Sequence, residues 1–155
     1  MEKYLMQMVM GCIGAVGFAV LFNVRGRKLI AIAIASTLSW WGYAGCMLAG
    51  GGVFWGLFWG TAVAAVLSEV LARLLKAPVL MLLVPILIPL IPGGDLYHMM
   101  AWLVRGVDDS FVEYARLVLT EAGSIALGII SASTVMRIYF GLSMRMKEKR
   151  ERRSQ

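Results

Sequence analysis

The sequence predicts an all-helical, polytopic membrane protein with five transmembrane helices, the fourth of them broken. Three observations predict this fold class: 60% of the 155 residues are hydrophobic, the mean hydropathy is +0.79, and several apolar segments approach or exceed the ~18 residues that suggest a bilayer span. Soluble domains are usually less apolar, at about 45–50%. We expect a five-span membrane domain over residues 1–143 and a basic cytoplasmic tail over residues 144–155, with no room for a separate soluble domain.

Five hydrophobic segments follow one another along the chain. At ~1.5 Å per residue, about twenty helical residues cover the ~30 Å hydrocarbon core. We expect the N-terminal segment to be a retained first helix rather than a signal peptide, because its charged region is weak and further spans follow. The segments are Leu5–Phe22, Leu29–Leu48, Val53–Leu75, a fourth that begins after Ala77 and contains a proline cluster, and a fifth from about Ala115 to Leu142.

The distribution of basic residues predicts the orientation. In a five-span arrangement, eleven of the fifteen Lys and Arg residues fall on one side, in the first loop, in the turn after the third segment and in the tail. Short loops rich in Lys and Arg face the cytoplasm. We therefore expect the N-terminus outside and the C-terminus inside. The eleven residues are Arg25, Arg27, Lys28, Arg73, Lys76, Arg145, Lys147, Lys149, Arg150, Arg152 and Arg153.

Composition also excludes several classes of function. The net charge of +6 is concentrated in the tail, which is typical of a topology determinant facing anionic lipid rather than of nucleic-acid binding. One His and two Cys make a zinc site improbable. Because the sequence shows no nucleophile–base pair and no nucleotide-binding loop, we expect no enzyme activity, no metal and no cofactor.

Small residues recur every four positions on three segments. Such stripes let helix backbones approach closely in lipid. We expect most of them to pack helices within one subunit, although three stripes also leave surface for a partner or a homo-oligomer. The stripes are Gly11, Ala15 and Ala19 on the first segment, Gly56, Gly60, Ala64 and Ser68 on the third, and Ser124, Gly128 and Ala132 on the fifth.

The fourth segment contains the stretch "VPILIPLIPGGDLYHMM". The fifteen residues from Ala77 to Ile91 would form a helix of only ~22 Å, too short to span. Each proline lacks an N–H group, so the carbonyls of Met81, Pro85 and Ile88 would lose their usual donors. We expect two half-helices around a break, with unusual backbone angles at Gly93-Gly94 and with Asp95 as the N-cap of the second half.

Such a break has ligand-binding chemistry. Freed carbonyls attract ammonium groups and the N–H groups of the second half-helix attract carboxylates, so one break can hold both ends of an amino acid. Asp95 has three open roles: it caps the helix in competition with an anionic ligand, binds the ammonium group, or carries a proton. The alternative is a proline-kinked helix without a ligand. The first substrate-binding candidates are Pro89, Pro92, Gly93, Gly94, Asp95 and Tyr97.

Four further ionisable residues are candidates for coupling or gating. Glu69 and Arg73 are four residues apart, so they share a helix face and can pair; the alternatives are a structural ion pair and a gate or proton carrier. Glu121 lies inside the fifth segment, where an acid should be paired or protonated, and both packing and coupling stay open for it. His98, three residues after Asp95, is either a proton relay or a hydrogen-bonded structural residue.

Three stretches carry a resemblance to a known family. They are "GFAVLFNVRGRKL" at Gly17–Leu29, "LARLLKAPVLMLLVPILIPLIPGGDLY" at Leu71–Tyr97 and "EAGSIALGI" at Glu121–Ile129. With them the chain resembles the threonine/serine exporter family, and in particular its small integral-membrane subunit, which corresponds to the C-terminal membrane half of the fused exporters. One departure is Arg25, where members often have a proline.

The resemblance implies the function. It implies proton-driven export of small amino acids such as threonine and serine from the bacterial inner membrane. It also implies a larger partner subunit with its own membrane half and a cytoplasmic hydrolase-like domain. Two alternatives stay open: export of small dicarboxylates such as succinate, as in some two-subunit members, and a non-transporting membrane scaffold for the partner.

Overall fold

The computed structural model describes the backbone of residues 2–151 and the side chains of residues 4–141, and within that range the chain is helical without strands. Arg152 and Arg153 of the predicted tail lie outside the described residues. The helices are α1 (Glu2–Leu21), α2 (Arg27–Leu48), α3 (Val53–Leu74), α4 (Val79–Leu87), a 3-10 turn (Ile88–Leu90), α5 (Gly93–Arg105) and α6 (Asp108–Glu151).

The span count confirms the predicted fold class. Helices α1, α2, α3 and α6 are each long and apolar enough to cross a membrane. The fourth segment is bent by 65° between Val79–Leu90 and Gly93–Arg105, and it gives a fifth crossing if the bent pair is one span. Helix α6 has 44 residues, or ~66 Å, and so it extends well beyond a ~30 Å hydrocarbon core.

Helix α3 lies at the centre of the bundle. It packs against α2, α4 and α6, while α1 packs against α2 and α4, and α6 contacts only α3 and α5 among the described helices. All four small residues of its stripe, from Gly56 to Ser68, are buried. The stripes therefore hold helices together inside this subunit, as the simpler of the two interpretations predicts.

Hydrogen bonds between helices fix the register of this packing. The Ser39 hydroxyl on α2 donates to the Gly60 carbonyl on α3 over 2.7 Å, and the Ser124 hydroxyl on α6 donates to the Phe54 carbonyl on α3. Because lipid offers no competing partners, such bonds are retained in a membrane. Together they set the height of α2 and α6 against α3.

The turn after α1 depends on a left-handed residue. Asn23 has φ 57°, a conformation that Asn tolerates better than most residues. Asn23 N–H donates to Val20 O over 2.9 Å and Val24 N–H donates to Ala19 O over 2.9 Å, and Val24 is 2% exposed. The Phe22-Asn23-Val24 motif thus ends α1 and anchors the first loop in the core.

Candidate functional site

The break in the fourth segment is a 3-10 turn followed by a new helix. Ile88 N–H donates to Pro85 O, and Ile91 N–H donates to Ile88 O over 3.3 Å. The carbonyls of Pro85 and Ile88 thus lose the donors of a regular helix, as expected, but the tighter turn supplies new ones. After the 3-10 turn, the carbonyls of Pro89 and Leu90 have no backbone donor among the described residues.

Helix α5 begins earlier than expected, and this changes the role of Asp95. The N-cap is Pro92, without a side-chain cap hydrogen bond, and the first helical residue is Gly93. Asp95 is therefore the third helical residue and not the N-cap. The N–H groups of Gly94 and Asp95 have no backbone acceptor within the described chain, as is usual for the first turn of a helix.

Gly93 and Gly94 do not have the unusual backbone that the sequence led us to expect. Both are helical, and neither has a positive φ. A Cβ atom added at either would meet nothing within 4 Å. Neither backbone strain nor packing within this chain requires glycine at these positions.

The break lies inside the bundle. A Cβ atom on Gly11, in the middle of α1, would lie 2.9 Å from Pro89 Cβ, and one on Gly60 would lie 3.3 Å from Leu90 Cδ2. Gly60 is about 20 Å along α3 from its Leu74 end, at ~1.5 Å per residue. Two small residues thus let the irregular backbone pack against α1 and α3, which cover it from lipid as membrane depth requires.

A cavity of about 130 Å³ adjoins the break. Its wall combines aromatic rings of α2, apolar side chains at the start of α3, the break itself and one acid of α6. The side chains that the structure describes put no Lys or Arg on this wall. The lining residues are Trp40, Tyr43, Val53, Leu57, Pro89, Leu90, Ile91, Pro92 and Glu121.

Glu121 is the charged group of this cavity. It is 7% exposed, and its Oε2 atom accepts no hydrogen bond from the described residues. Ser124 and Gly128, on the same face of α6, pack against α3 and so turn Glu121 inward. The carboxyl group of Asp95, on α5, lies within hydrogen-bonding reach of Glu121. The structure thus brings three of the predicted site residues, Pro89, Pro92 and Glu121, onto one cavity wall, with Asp95 beside Glu121.

Glu69 and Arg73 form the predicted ion pair, away from the cavity. Glu69 Oε2 lies 2.8 Å from Arg73 Nη1, and Glu69 is 6% exposed. The Arg73 guanidinium also lies 3.6 Å from the centroid of the Phe140 ring on α6. Glu69 lines a different cavity, of about 460 Å³, between α3, α4 and α6. The pair therefore does not belong to the Glu121 site.

The remaining candidates on α5 lie outside the cavity. Tyr97 is 70% exposed. His98 is exposed, and its ring centroid lies 5.3 Å from that of Tyr114 on α6 and 5.6 Å from that of Tyr97. Gly93 and Gly94 are exposed as well. These four residues do not line the cavity, and His98 packs against an aromatic ring of α6.

Sequence reasoning missed the cavity wall on α2 and α3. Trp40, Tyr43, Val53 and Leu57 line the cavity, but in the sequence they look like ordinary packing or interfacial residues. Gly60 was the one sequence feature that could have indicated the cavity wall, because a stripe of small residues marks a place where another backbone packs closely. That backbone is the 3-10 turn, which carries Leu90.

Comparison with known proteins gives the family. Residues 7–135 match the family model described as "Threonine/Serine exporter, ThrE". The match includes all three motif stretches, the break and Glu121. No curated protein and no solved structure matches the chain. Since the match covers most of the 155 residues, the chain belongs to the threonine/serine exporter family, a family of membrane transporters.

Proposed function

We propose that this protein exports small amino acids such as threonine and serine across the bacterial inner membrane, driven by the proton gradient, as the membrane subunit of a two-subunit exporter. The observation that carries the proposal is the meeting of the helix break and a buried, unpartnered acid in one cavity. Broken helices with free backbone groups near the bilayer midplane are how secondary transporters bind their substrates.

The cavity and the adjoining start of α5 together offer groups for both ends of an amino acid. The Pro89 and Leu90 carbonyls have no donor within the described chain, and together with Glu121 they suit an ammonium group. The free N–H groups of Gly94 and Asp95, two and three residues after Pro92, suit a carboxylate at the start of α5. At about 130 Å³, the cavity is smaller than the ~300–1,000 Å³ of sites for drug-sized ligands, which favours a small substrate.

Two other functions fit these observations less well. A dicarboxylate such as succinate has no ammonium group, and it would meet the carboxyl groups of Glu121 and Asp95 with no basic side chain on the described wall. A non-transporting scaffold would need a sealed break with every charge paired. Among the described side chains Glu121 instead has no basic partner, and an acid within a span that no base neutralises indicates function.

The proposed partner is a larger subunit with its own membrane half and a hydrolase-like cytoplasmic domain. Helix α5 contacts only α6 among the described helices, and its apolar residues Tyr97, Met100 and Val104 are exposed. Five spans with opposite termini are also what one half of an inverted pair requires. A second copy of this chain is the alternative occupant of the exposed face.

Efflux from proteoliposomes tests the proposal. The chain is reconstituted alone and with a larger subunit of the same family, and loss of internal threonine, serine or succinate is followed after a pH gradient is imposed. We expect the gradient to accelerate efflux of threonine and serine, but not of succinate. Threonine retained in both preparations would contradict the proposal, and succinate efflux alone would support the dicarboxylate alternative.

A matched pair of variants tests whether the cavity is the route. Ile91 and Val84 are both exposed apolar residues of the fourth segment, but Ile91 lines the cavity beside the break, whereas Val84 lines neither this cavity nor the one beside Glu69. Ile91→Trp should fill the cavity and abolish efflux, whereas Val84→Trp should insert and export like the native chain. Equal efflux by the two variants would place the route elsewhere.

A further inference from the structure

We propose that the Asp95–Glu121 carboxyl pair binds either one proton or the ammonium group of the substrate, and that this exclusion is what couples export to proton entry. The inference rests on the proposed function and deepens it by naming the site of coupling. Glu121 is buried, lines the cavity and has an unpartnered oxygen. Asp95 reaches it from the other side of the break, on α5.

The pair needs a cation. Two ionised carboxylates are both acceptors and cannot hydrogen-bond to each other, so their approach requires a proton on one of them or a cation between them. In the low dielectric of a membrane interior, two unpaired negative charges at this distance would be strongly destabilising. One proton shared by the pair satisfies both carboxyl groups.

The surroundings supply no alternative counter-charge. Tyr43 on α2 lines the same cavity as Glu121. The His98 ring of α5 packs against the Tyr114 ring of α6. The nearest turns of α3 contribute Val53 and Leu57. Glu69–Arg73 is the one ion pair among the described side chains. No described basic side chain therefore neutralises Asp95 or Glu121.

An ammonium group can replace the proton. It has three donors, enough for Asp95, Glu121 and one of the free carbonyls at Pro89 and Leu90. When a zwitterionic amino acid binds the ionised pair, the shared proton leaves, so one substrate molecule exchanges for one proton. Binding of the proton therefore lowers the affinity for the substrate, and binding of the substrate lowers the affinity for the proton by the same factor, as linkage requires. Because the pair always holds either a proton or an ammonium group, substrate leaves the pair only when a proton replaces it.

The first test observes the proton itself. Infrared spectra of the full chain in lipid nanodiscs are recorded near neutral pH, and the carbonyl stretch of a protonated carboxyl group is followed. We expect this signal in the native chain, and we expect Glu121→Gln to remove it. Asp95→Asn should shift the frequency of the signal without removing it, because a buried Glu121 without a counter-charge stays protonated. Glu113→Gln is the matched control, because Glu113 is an exposed acid on the same helix, and it should leave the signal unchanged. A native chain without the signal would overturn the inference.

The second test observes the exchange. Adding threonine should reduce the protonated-carboxyl signal, and threonine affinity measured by calorimetry should rise about tenfold per pH unit while the pair carries its proton, since one proton is released per molecule bound. Threonine that binds with an affinity independent of pH would overturn the inference and leave the proposed function standing. A protonated pair in a chain that binds neither threonine nor serine would refute the proposed function instead.

Discussion

Gly128 offers the sharpest test of what positions Glu121, because α6 carries Glu121 and packs closely against α3 at this glycine. A Cβ atom on Gly128 would collide with Thr61 Oγ1 and would lie 2.6 Å from the Phe58 carbonyl oxygen and 3.3 Å from Ala62 N. Two of these three atoms are backbone, and the Thr61 hydroxyl is already bonded to the Leu57 and Phe58 carbonyls. The obstacle to an alanine is therefore rigid.

The size of the effect follows from these distances. Ordinary contact begins near 3.4 Å, so Gly128→Ala must move α6 away from α3 by about 0.8 Å to relieve the Phe58 contact alone, and by more to relieve the Thr61 contact. A gap of that size forfeits roughly a quarter to a half of the dispersion energy of the atom pairs it separates. Overpacking of this kind costs about 1–3 kcal/mol. We therefore expect Gly128→Ala to lower the free energy of unfolding by that amount and to weaken export, because Glu121 moves with α6.

Equilibrium unfolding by SDS in mixed micelles measures the change. Gly123→Ala is the control, since Gly123 lies on the same helix and a Cβ atom there would meet nothing within 4 Å. Alanine favours the helix by up to about 1 kcal/mol over glycine, so Gly123→Ala should be neutral or stabilising. If Gly128→Ala unfolds like Gly123→Ala, the α3–α6 contact described here is wrong.

Three further predictions concern the ion pair, the topology and the core. Exchanging Glu69 and Arg73 should lower the free energy of unfolding less than neutralising either residue alone, and the difference should be about 1–3 kcal/mol. An equal loss of unfolding free energy in the exchanged and neutralised variants would show that the two residues are not simply partners. In a chain without other cysteines, membrane-impermeant thiol reagents applied to intact cells should label Gly52→Cys but not Arg25→Cys or Ser154→Cys. Labelling of Ser154→Cys from outside would contradict five spans with a cytoplasmic tail. Ser39→Ala should cost about 1–2 kcal/mol in the same SDS titration, because it leaves the buried Gly60 carbonyl without its 2.7 Å donor, whereas Ser133→Ala should be neutral; equal values would contradict that bond.

The sequence predicted the helices well because hydrophobic length is a local property. Helices α2 and α3 begin and end within two residues of the predicted segments. The Glu69–Arg73 pair was predictable for the same reason, since residues four apart on a helix must face the same side. The break was also predictable, because three prolines within a short apolar stretch cannot form an uninterrupted helix.

The details of the break depend on contacts that the local sequence does not contain. Asp95 is a favourable N-cap residue, yet the N-cap is Pro92 and α5 begins at Gly93, because the 3-10 turn and Pro92 redirect the chain three residues earlier. That turn is shaped by packing of Pro89 and Leu90 against Gly11 and Gly60. The meeting of Asp95 with Glu121 likewise depends on the α5–α6 packing, which no spacing in the sequence encodes.

Substrate protection of a cysteine at the break tests the proposed site most directly. In a chain with Cys12 and Cys46 replaced by alanine, Ile91→Cys places a thiol on the cavity wall, and Leu80→Cys places one on the same segment outside it. Threonine should slow thiol labelling of Ile91→Cys in proteoliposomes and leave that of Leu80→Cys unchanged. Labelling of Ile91→Cys at the same rate with and without saturating threonine would contradict substrate binding at the break.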